Sequence, residues 1–376
     1  MRILCLIALF VCSVFVSGQN KDVFFGLGWN LGNQLDAHKE GKADETCWGN
    51  GKVTQRTFDC VRSAGFSSVR IPVTWLGHIG PSPEYKISEA WLERVAECVG
   101  YAKKAGLKVI VNIHHDGANS DYWLDVRNAA KNDSVNNLVK AKLTAVWQQI
   151  ARRFKNEGDY LVFESFNEIH DGKWGWGENL TDNGRQYEIV NEWNQTFVDA
   201  VRRVGGKNKK RYLGVPGYCT NIDLTLKYFR MPKDVVRDRL MLSVHYYEPY
   251  NFTLENRWNE WGYKAPKNNG QYKDECHVDS IFGLLKQQYV DKGVQVYIGE
   301  FGCTRRVEPA NEYFRKYYLS YVCRSASRNG LSLFYWDNGA RGAGRERSGL
   351  INHANGNFIE TGAEIVDVMY KAYHSE

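Results

Sequence analysis

Short apolar segments recur along the chain and alternate with longer amphipathic stretches. The segments are rich in β-branched and aromatic residues, which favours buried strands over helices. Glycine, proline and polar residues separate them from the stretches that follow. The pattern predicts eight strands, at residues 23–28, 68–72, 108–113, 160–166, 211–216, 240–245, 295–299 and 331–336.

The stretches between these strands have helical periodicity. Ser88 can cap a helix in which apolar residues from Trp91 to Ala102 repeat every three or four positions, and Gly106 can end it. Similar patterns predict helices at 54–64, 187–204, 311–327 and 363–373. Strands that alternate with helices eight times predict the α/β class and a single (β/α)8 TIM barrel. A doubly wound sheet would favour a glycine-rich phosphate turn after the first strand, and residues 26–32 do not match that turn.

The amino terminus has the features of a secretory signal. Met1-Arg2 precedes an apolar run at 3–16, and Val16-Ser-Gly18 offers a small-residue cleavage site. We therefore expect a signal peptide at 1–18, a mature catalytic domain at 19–376 and a secreted, extracellular protein. A membrane anchor is disfavoured because the run is short and has no basic stop-transfer flank.

Seven cysteines remain after cleavage, an odd set that allows up to three disulfides and one thiol in a secreted protein. No C-x-x-C spacing occurs, which disfavours a zinc or redox site. Glycosylation sequons begin at Asn132, Asn179, Asn194 and Asn251, as in a secreted glycoprotein. The cysteines are Cys47, Cys60, Cys98, Cys219, Cys276, Cys303 and Cys323.

Charge and aromatic content narrow the possible partners. The net charge is +6, but the basic residues are scattered apart from a cluster at 207–211, which favours a solvated loop over a nucleic-acid surface. Twelve tryptophans suit a core, and they also suit a sugar-binding cleft, where an indole covers the C–H face of a pyranose. We expect a monomer with no nucleic-acid or membrane partner.

Polar residues collect where the predicted strands end, which is where the functional residues of a (β/α)8 barrel lie. Core packing does not explain such residues at six different strands, so the pattern predicts one site. His245 and Tyr247 are two positions apart and would face the same side of an extended chain. The set is Arg70, His114, His115, Asn167, Glu168, His245, Tyr247, Glu300 and Trp336.

Two strand-end glutamates about 5 Å apart would support retaining glycoside hydrolysis. One carboxyl must be protonated to donate to the leaving oxygen, and the other must be ionised to attack the anomeric carbon. Arg70 and a tyrosine hydroxyl can hold one glutamate ionised, as a nucleophile requires. Its negative charge would then raise the pKa of the other glutamate and keep it an acid. Asn167 would direct its amide at the sugar 2-hydroxyl.

Several strings, in order from about residue 24 to 352, resemble glycoside hydrolase family 5, the cellulase family of clan A. A single short motif would be weak, but this many in order is a specific signal. The strings are Gly28-Trp-Asn-Leu-Gly-Asn33, Arg70-Ile-Pro-Val73, Asn112-Ile-His-His-Asp116, Phe163-Glu-Ser-Phe-Asn-Glu168, His245-Tyr-Tyr247, Gly299-Glu-Phe-Gly302 and Tyr335-Trp336.

The resemblance implies an endo-β-1,4-glucanase that needs no cofactor or metal, with Glu168 as acid/base and Glu300 as nucleophile. It also implies that Trp336 is the platform under the sugar and that the stretches containing Asn33 and Trp48 line the glycone side. One departure is that Ile169 follows the acid/base where many members have proline. The supporting polar residues implied are Arg70, His114, His115, Asn167, His245 and Tyr247.

The leading hypothesis is thus a secreted retaining endo-β-1,4-glucanase (cellulase) that acts on β-glucan polysaccharide by double displacement. The same mechanism on xyloglucan, mixed-linkage glucan or mannan remains an alternative, because outer subsites decide the substrate. A metal-dependent hydrolase could use His114, His115 and His245, but adjacent histidines on a strand point to opposite sides. A non-catalytic carbohydrate-binding barrel is disfavoured because both glutamates and their polar neighbours are intact.

Overall fold

The computed structural model describes residues 23–117, 122–265 and 273–375, so the expected signal peptide at 1–18 lies outside the described residues. Eight parallel strands close into a barrel in which each strand pairs with the next and the first pairs with the eighth. This closure confirms the (β/α)8 prediction and excludes an open doubly wound sheet. The strands are Leu27–Leu31, Ser68–Ile71, Lys108–Val111, Leu161–Glu164, Leu213–Pro216, Leu240–Tyr246, Gln295–Phe301 and Ser332–Asp337.

Helices surround the barrel, and all five predicted helices are present. Ser88 occupies the predicted N-cap position, but its side chain makes no capping hydrogen bond. Asp133–Arg153 is not among the five predicted ranges, and its buried stripe includes Trp147 and the polar Asn136. The α-helices are Gln55–Ser63, Glu89–Lys104, Val126–Lys131, Asp133–Arg153, Arg185–Val204, Ile222–Tyr228, Tyr250–Thr253, Glu275–Gln288, Glu312–Arg328 and Gly362–Tyr373.

The first strand begins at Leu27, four residues later than predicted. The apolar residues before it close the barrel interior instead of joining the sheet. Phe25 is buried with its ring centroid 5.5 Å from that of Tyr297 and 5.2 Å from that of Phe334. Burial thus explains the apolar run at 23–26 as well as a strand would. The interior cluster consists of Phe25, Ile110, Val162, Met241, Tyr297 and Phe334.

The cysteines and two of the sequons differ from what secretion led us to expect. All seven described cysteines are free thiols, so the allowed disulfides are not formed. Asn194 is fully buried and its side chain donates to the carbonyl of Pro216 at 2.8 Å. Asn179 is also buried and donates to the Tyr187 hydroxyl at 2.9 Å. These two asparagines cannot carry a glycan in the folded protein.

Arg211 organises the end of the barrel opposite the strand carboxyl termini. It lies just before the fifth strand, is 1% exposed, and donates to the carbonyls of Leu161 at 2.7 Å, Phe154 at 2.8 Å and Glu157 at 2.9 Å. Burial lowers the pKa of Arg211 to about 10, which still leaves the guanidinium charged at neutral pH. One side chain thus joins the end of Asp133–Arg153 to the start of the fourth and fifth strands.

Replacing Arg211 by methionine should destabilise the fold without touching the opposite end of the barrel. Each buried carbonyl left without a donor costs about 1–3 kcal/mol, so we expect a loss of roughly 3 kcal/mol or more in the free energy of unfolding. Urea unfolding followed by circular dichroism measures it. Arg152→Met, at an exposed position nearby, is the control and should change stability by about 0.5 kcal/mol or less. Equal losses in the two variants would contradict the role given to Arg211.

Candidate active site

Glu168 and Glu300 meet at the carboxyl-terminal end of the barrel. Glu168 lies in the loop after Leu161–Glu164, and Glu300 lies near the end of Gln295–Phe301. A carboxylate oxygen of each, and a ring nitrogen of His245, all lie within 4.8 Å of one another. His245 Nδ1 is 2.6 Å from Glu168 Oε1 and 3.7 Å from Glu300 Oε2. This separation is close to the 5–5.5 Å of retaining glycosidases and well below that of inverting enzymes.

Glu300 is held by two donors. Arg70 lies within the second strand, is fully buried, and donates from Nη1 to Glu300 Oε1 at 2.8 Å. The Tyr247 hydroxyl donates to Glu300 Oε2 at 3.1 Å. Arg70 Nη2 also donates to Asn167 Oδ1 at 2.7 Å, so Asn167 offers its N–H groups as the donors for a ligand. Both oxygens of Glu300 therefore have partners that suit a carboxylate.

His114 and Trp336 form one wall beside Glu300. Their rings are stacked, with centroids 5.7 Å apart and an interplanar angle of 6°. Burial lowers the pKa of His114 well below its usual value, and the nearby charges of His115 and Arg70 act in the same direction. The neutral ring accepts from Asn112 Nδ2 at Nδ1, at 3.2 Å, which places the remaining proton on Nε2. That Nε2 lies 3.8 Å from Glu300 Oε1.

Asn33, Trp48 and His115 lie in the loops around this centre. The backbone N–H of Asn33 donates to Asp36 Oδ2 at 3.1 Å, and His115 Nε2 lies 3.6 Å from the same oxygen. Trp48 is 41% exposed, and its ring centroid lies 5.6 Å from that of His115. Its Nε1 donates to the carbonyl of His38 at 2.9 Å, which fixes the indole. The exposed indole beside a histidine suits an outer sugar contact.

The argument that His114 and His115 must point apart was wrong. The third strand ends at Val111, so both histidines lie in the following loop, where strand alternation no longer applies. Their ring centroids are 4.4 Å apart, and they form with Asp36 a group whose possible ligand atoms lie within 4.8 Å of one another. Asp36 Oδ1 already accepts the backbone N–H of Gln34 at 2.8 Å.

The pKa directions of the two glutamates are the reverse of those the sequence suggested. Burial raises the pKa of Glu300, and this outweighs the lowering by the charges of His245 and Arg70. Burial also raises the pKa of Glu168, but the hydrogen bond and charge of a protonated His245 bring it below its usual value. The sequence did not show that His245 lies nearer to Glu168 than to Glu300. The ionisation of this pair therefore depends on the charge of His245.

Two further residues belong to the site and were missed from the sequence. Glu164 is fully buried and accepts from Arg70 Nε at 2.7 Å. The Thr220 hydroxyl donates to the carbonyl of Cys219 at 2.6 Å and lies 3.4 Å from Glu168 Oε1. Both Cys219 and Thr220 have positive φ, at 55° and 50°, a conformation that non-glycine residues seldom adopt. A carboxylate inside an apolar strand was a visible signal for Glu164, whereas nothing in the sequence marked Thr220.

Comparisons with known proteins identify the family that the chain resembles. Residues 35–342 match the model of the cellulase family, glycosyl hydrolase family 5. Endoglucanase A of Paenibacillus barcinonensis is 39% identical over 335 residues, which are 84% of this chain and 81% of that protein. The chain spans 66% and 35% of the length of two longer relatives.

Solved structures show the same similarity. A GH5-4 broad specificity endoglucanase from Bacteroides salanitronis superposes with a TM-score of 0.91 at 55% identity, covering 94% of each chain. A family 5 xyloglucanase from Paenibacillus pabuli superposes with a TM-score of 0.86 at 38% identity, covering 93% of this chain and 99% of that one. The closed barrel and the family match together show that this chain belongs to glycoside hydrolase family 5, as a hydrolase of the endoglucanase and xyloglucanase type.

Proposed function

We propose that the protein is a secreted retaining endo-β-1,4-glucanase in which Glu300 is the nucleophile and Glu168 the acid/base. The observation that carries the proposal is the pair of carboxylates within 4.8 Å of each other, of which Glu300 is bound by Arg70 and Tyr247. At this separation one carboxylate reaches the anomeric carbon directly, and no water fits between them for an inverting attack.

In the first step Glu300 attacks the anomeric carbon while Glu168 protonates the departing glycosidic oxygen. Glu168 must then carry a proton, which requires a neutral His245, because a protonated ring 2.6 Å away favours the carboxylate. Burial raises the pKa of Glu168. With His245 neutral, this effect is no longer opposed by the charge of His245, and a negative Glu300 nearby would act in the same direction as burial. Burial raises the pKa of Tyr247 well above its usual value, so this hydroxyl remains a donor to Glu300 throughout.

In the second step Glu168, now ionised, takes a proton from water, and the water attacks the glycosyl-enzyme on the face that the leaving group vacated. In this proposal Asn167 binds the sugar 2-hydroxyl; the supporting observation is that its Oδ1 accepts from Arg70, so its N–H groups are the donors that it offers to substrate. Trp336, stacked on His114, supplies a flat apolar surface for the sugar ring in the cleavage subsite.

Glutamine substitutions separate the two roles. Glu300→Gln should abolish hydrolysis of every substrate while oligosaccharide binding by calorimetry persists. Glu168→Gln should reduce hydrolysis of cellotetraose by about 10²–10⁴-fold but spare the first step with 2,4-dinitrophenyl β-cellobioside, whose leaving group needs no proton. Stopped-flow release of dinitrophenol should therefore show a burst in Glu168→Gln. An active Glu300→Gln would overturn the assignment. So would an equal loss of kcat/KM, which reports the first step, on both substrates for Glu168→Gln.

The family and three exposed tryptophans support a substrate class for this proposal. Similar structures include the broad specificity endoglucanase, the xyloglucanase and a lichenase from Caldicellulosiruptor. Trp48 is exposed beside His115, and Trp174 and Trp176 are exposed in the loop after Glu168. These indoles can contact a glucan backbone through its C–H faces and tolerate branches. We therefore propose a β-1,4-glucan backbone as the substrate, plain, branched or of mixed linkage.

A panel of carboxymethylcellulose, lichenan, xyloglucan, xylan and mannan tests this specificity. We expect cleavage of the first three, with viscosity falling faster than reducing ends appear because the cuts are internal. Activity should also survive treatment with EDTA, because the proposed mechanism uses only protein carboxylates. Activity confined to mannan or xylan would contradict the proposed substrate, and loss with EDTA that zinc restores would favour the metal-dependent alternative.

Secretion can be tested by two measurements, cleavage of the expected signal peptide and glycan occupancy of the sequons. Among the described residues no helix is long and apolar enough to span a membrane. Of the four sequons, Asn132 is exposed and Asn251 is half-buried, while Asn179 and Asn194 are buried. Expressed in a eukaryotic secretory host, the protein should appear in the medium, begin near Gln19 and carry glycans only at Asn132 or Asn251 by mass spectrometry. An intact Met1 terminus would contradict the leader.

A further inference from the structure

Arg70 connects the proposed nucleophile to a second buried carboxylate. Its Nη1 donates to Glu300 Oε1 at 2.8 Å, and its Nε donates to Glu164 Oε2 at 2.7 Å. Arg70 and Glu164 are both fully buried, and the side chain of Glu300 is 7% exposed. One guanidinium therefore lies between two carboxylates in a region that excludes water, where charges interact strongly.

Glu164 is surrounded by donors. Ser243 Oγ donates to Glu164 Oε1 at 2.7 Å, and Asn112 Nδ2 donates to Glu164 Oε2 at 3.3 Å. Together with Arg70 Nε these groups offer three hydrogen bonds to a carboxylate and call for no proton on it. The described partners of Glu164 are thus all donors, as suits a carboxylate.

The charges of this triad change during the proposed reaction. Before attack, Arg70 faces two negative carboxylates and the triad carries a net charge of −1. When Glu300 bonds to the anomeric carbon it becomes a neutral ester, and only Glu164 remains to pair with Arg70. Without Glu164, attack would leave a buried guanidinium with no ionic partner, which is costly.

We propose that Glu164 is a positioning residue that serves as the permanent counter-ion of Arg70 and so allows Glu300 to give up its charge during attack. This inference rests on Glu300 being the nucleophile. In the ground state Arg70 interacts with two carboxylates, and its interaction with Glu164 becomes stronger as Glu300 loses its charge. An interaction that is stronger in the transition state than in the ground state lowers the barrier. Arg70 can therefore orient Glu300 without stabilising its ionised form so strongly that attack becomes unfavourable.

The predicted effect on pH dependence has a definite sign. Glu300 must be ionised to attack, so kcat/KM falls on the acid side as Glu300 takes up a proton. Removing the negative charge of Glu164 favours ionised Glu300, which moves this acid limb to lower pH. The other titratable or charged groups that face the triad are unchanged: Glu168, His114, His245, Tyr247 and Tyr297.

The test compares Glu164→Gln, which keeps the shape, with Glu164→Asp, which keeps the charge. With 2,4-dinitrophenyl β-cellobioside, Glu164→Gln should lower kcat/KM at its optimum by about 100-fold and move the acid limb down by about one pH unit. Glu164→Asp should lose rate through altered geometry but keep the acid limb of the unmodified protein. Circular dichroism and thermal unfolding establish that the variants are folded.

Glu164→Asn provides a second uncharged variant should Glu164→Gln fail to fold, and Glu164→Asp is its charged control of the same size. It removes the same negative charge and should move the acid limb in the same direction. An acid limb that stays in place in Glu164→Gln, or in Glu164→Asn where only that variant folds, overturns the proposal, as does an equal shift in Glu164→Asp. An active Glu300→Gln would instead reject the nucleophile assignment, so the two failures are distinguishable.

Discussion

A guanidinium enclosed within a barrel needs an acceptor for each N–H group that it turns inward, because water cannot reach it. Arg70 meets this need with side chains from three other strands or strand ends: Asn30, Glu164 with Asn167, and Glu300. These contacts fix which residue of each strand faces the interior at this level. A slip of one residue in any of them would exchange the two faces of that strand and leave buried charges unpaired.

The same constraint acts on two neighbours of Glu300, His114 and Tyr247. Burial keeps His114 uncharged by lowering its pKa and keeps Tyr247 protonated by raising its pKa. A further cation at this position would compete with Arg70 and hold Glu300 more firmly in its ionised form. Tyr247 therefore donates to Glu300 without adding a charge, and Arg70 supplies the close ionic contact.

The sequence predicts a residue's role when its immediate neighbours in the chain mark that role, and fails when the role depends on a partner from another strand. Glu168 and Glu300 interrupt apolar runs at strand ends, so a barrel alone implied that they meet. Glu164 lies inside such a run, and its partner Arg70 is identified only by the register of the closed sheet. Phe25 shows a second limit, because an apolar residue can fill the barrel interior without joining a strand.

The sequence could not show which glutamate His245 contacts, and this contact has the largest effect on the ionisation of the pair. Its Nδ1 lies 2.6 Å from Glu168 and 3.7 Å from Glu300, so its charge acts on both carboxylates and its hydrogen bond acts on Glu168 alone. The hydrogen bond and charge of a protonated ring lower the pKa of Glu168, which is the opposite of what its proposed role as acid requires. When His245 loses that proton, Glu300 still pairs with Arg70. Among the described residues, Glu168 then has no cationic partner as close as Arg70 is to Glu300. Under the proposed assignment, His245 contacts the acid/base and the buried Arg70 contacts the nucleophile, so these two contacts distinguish the two carboxylates.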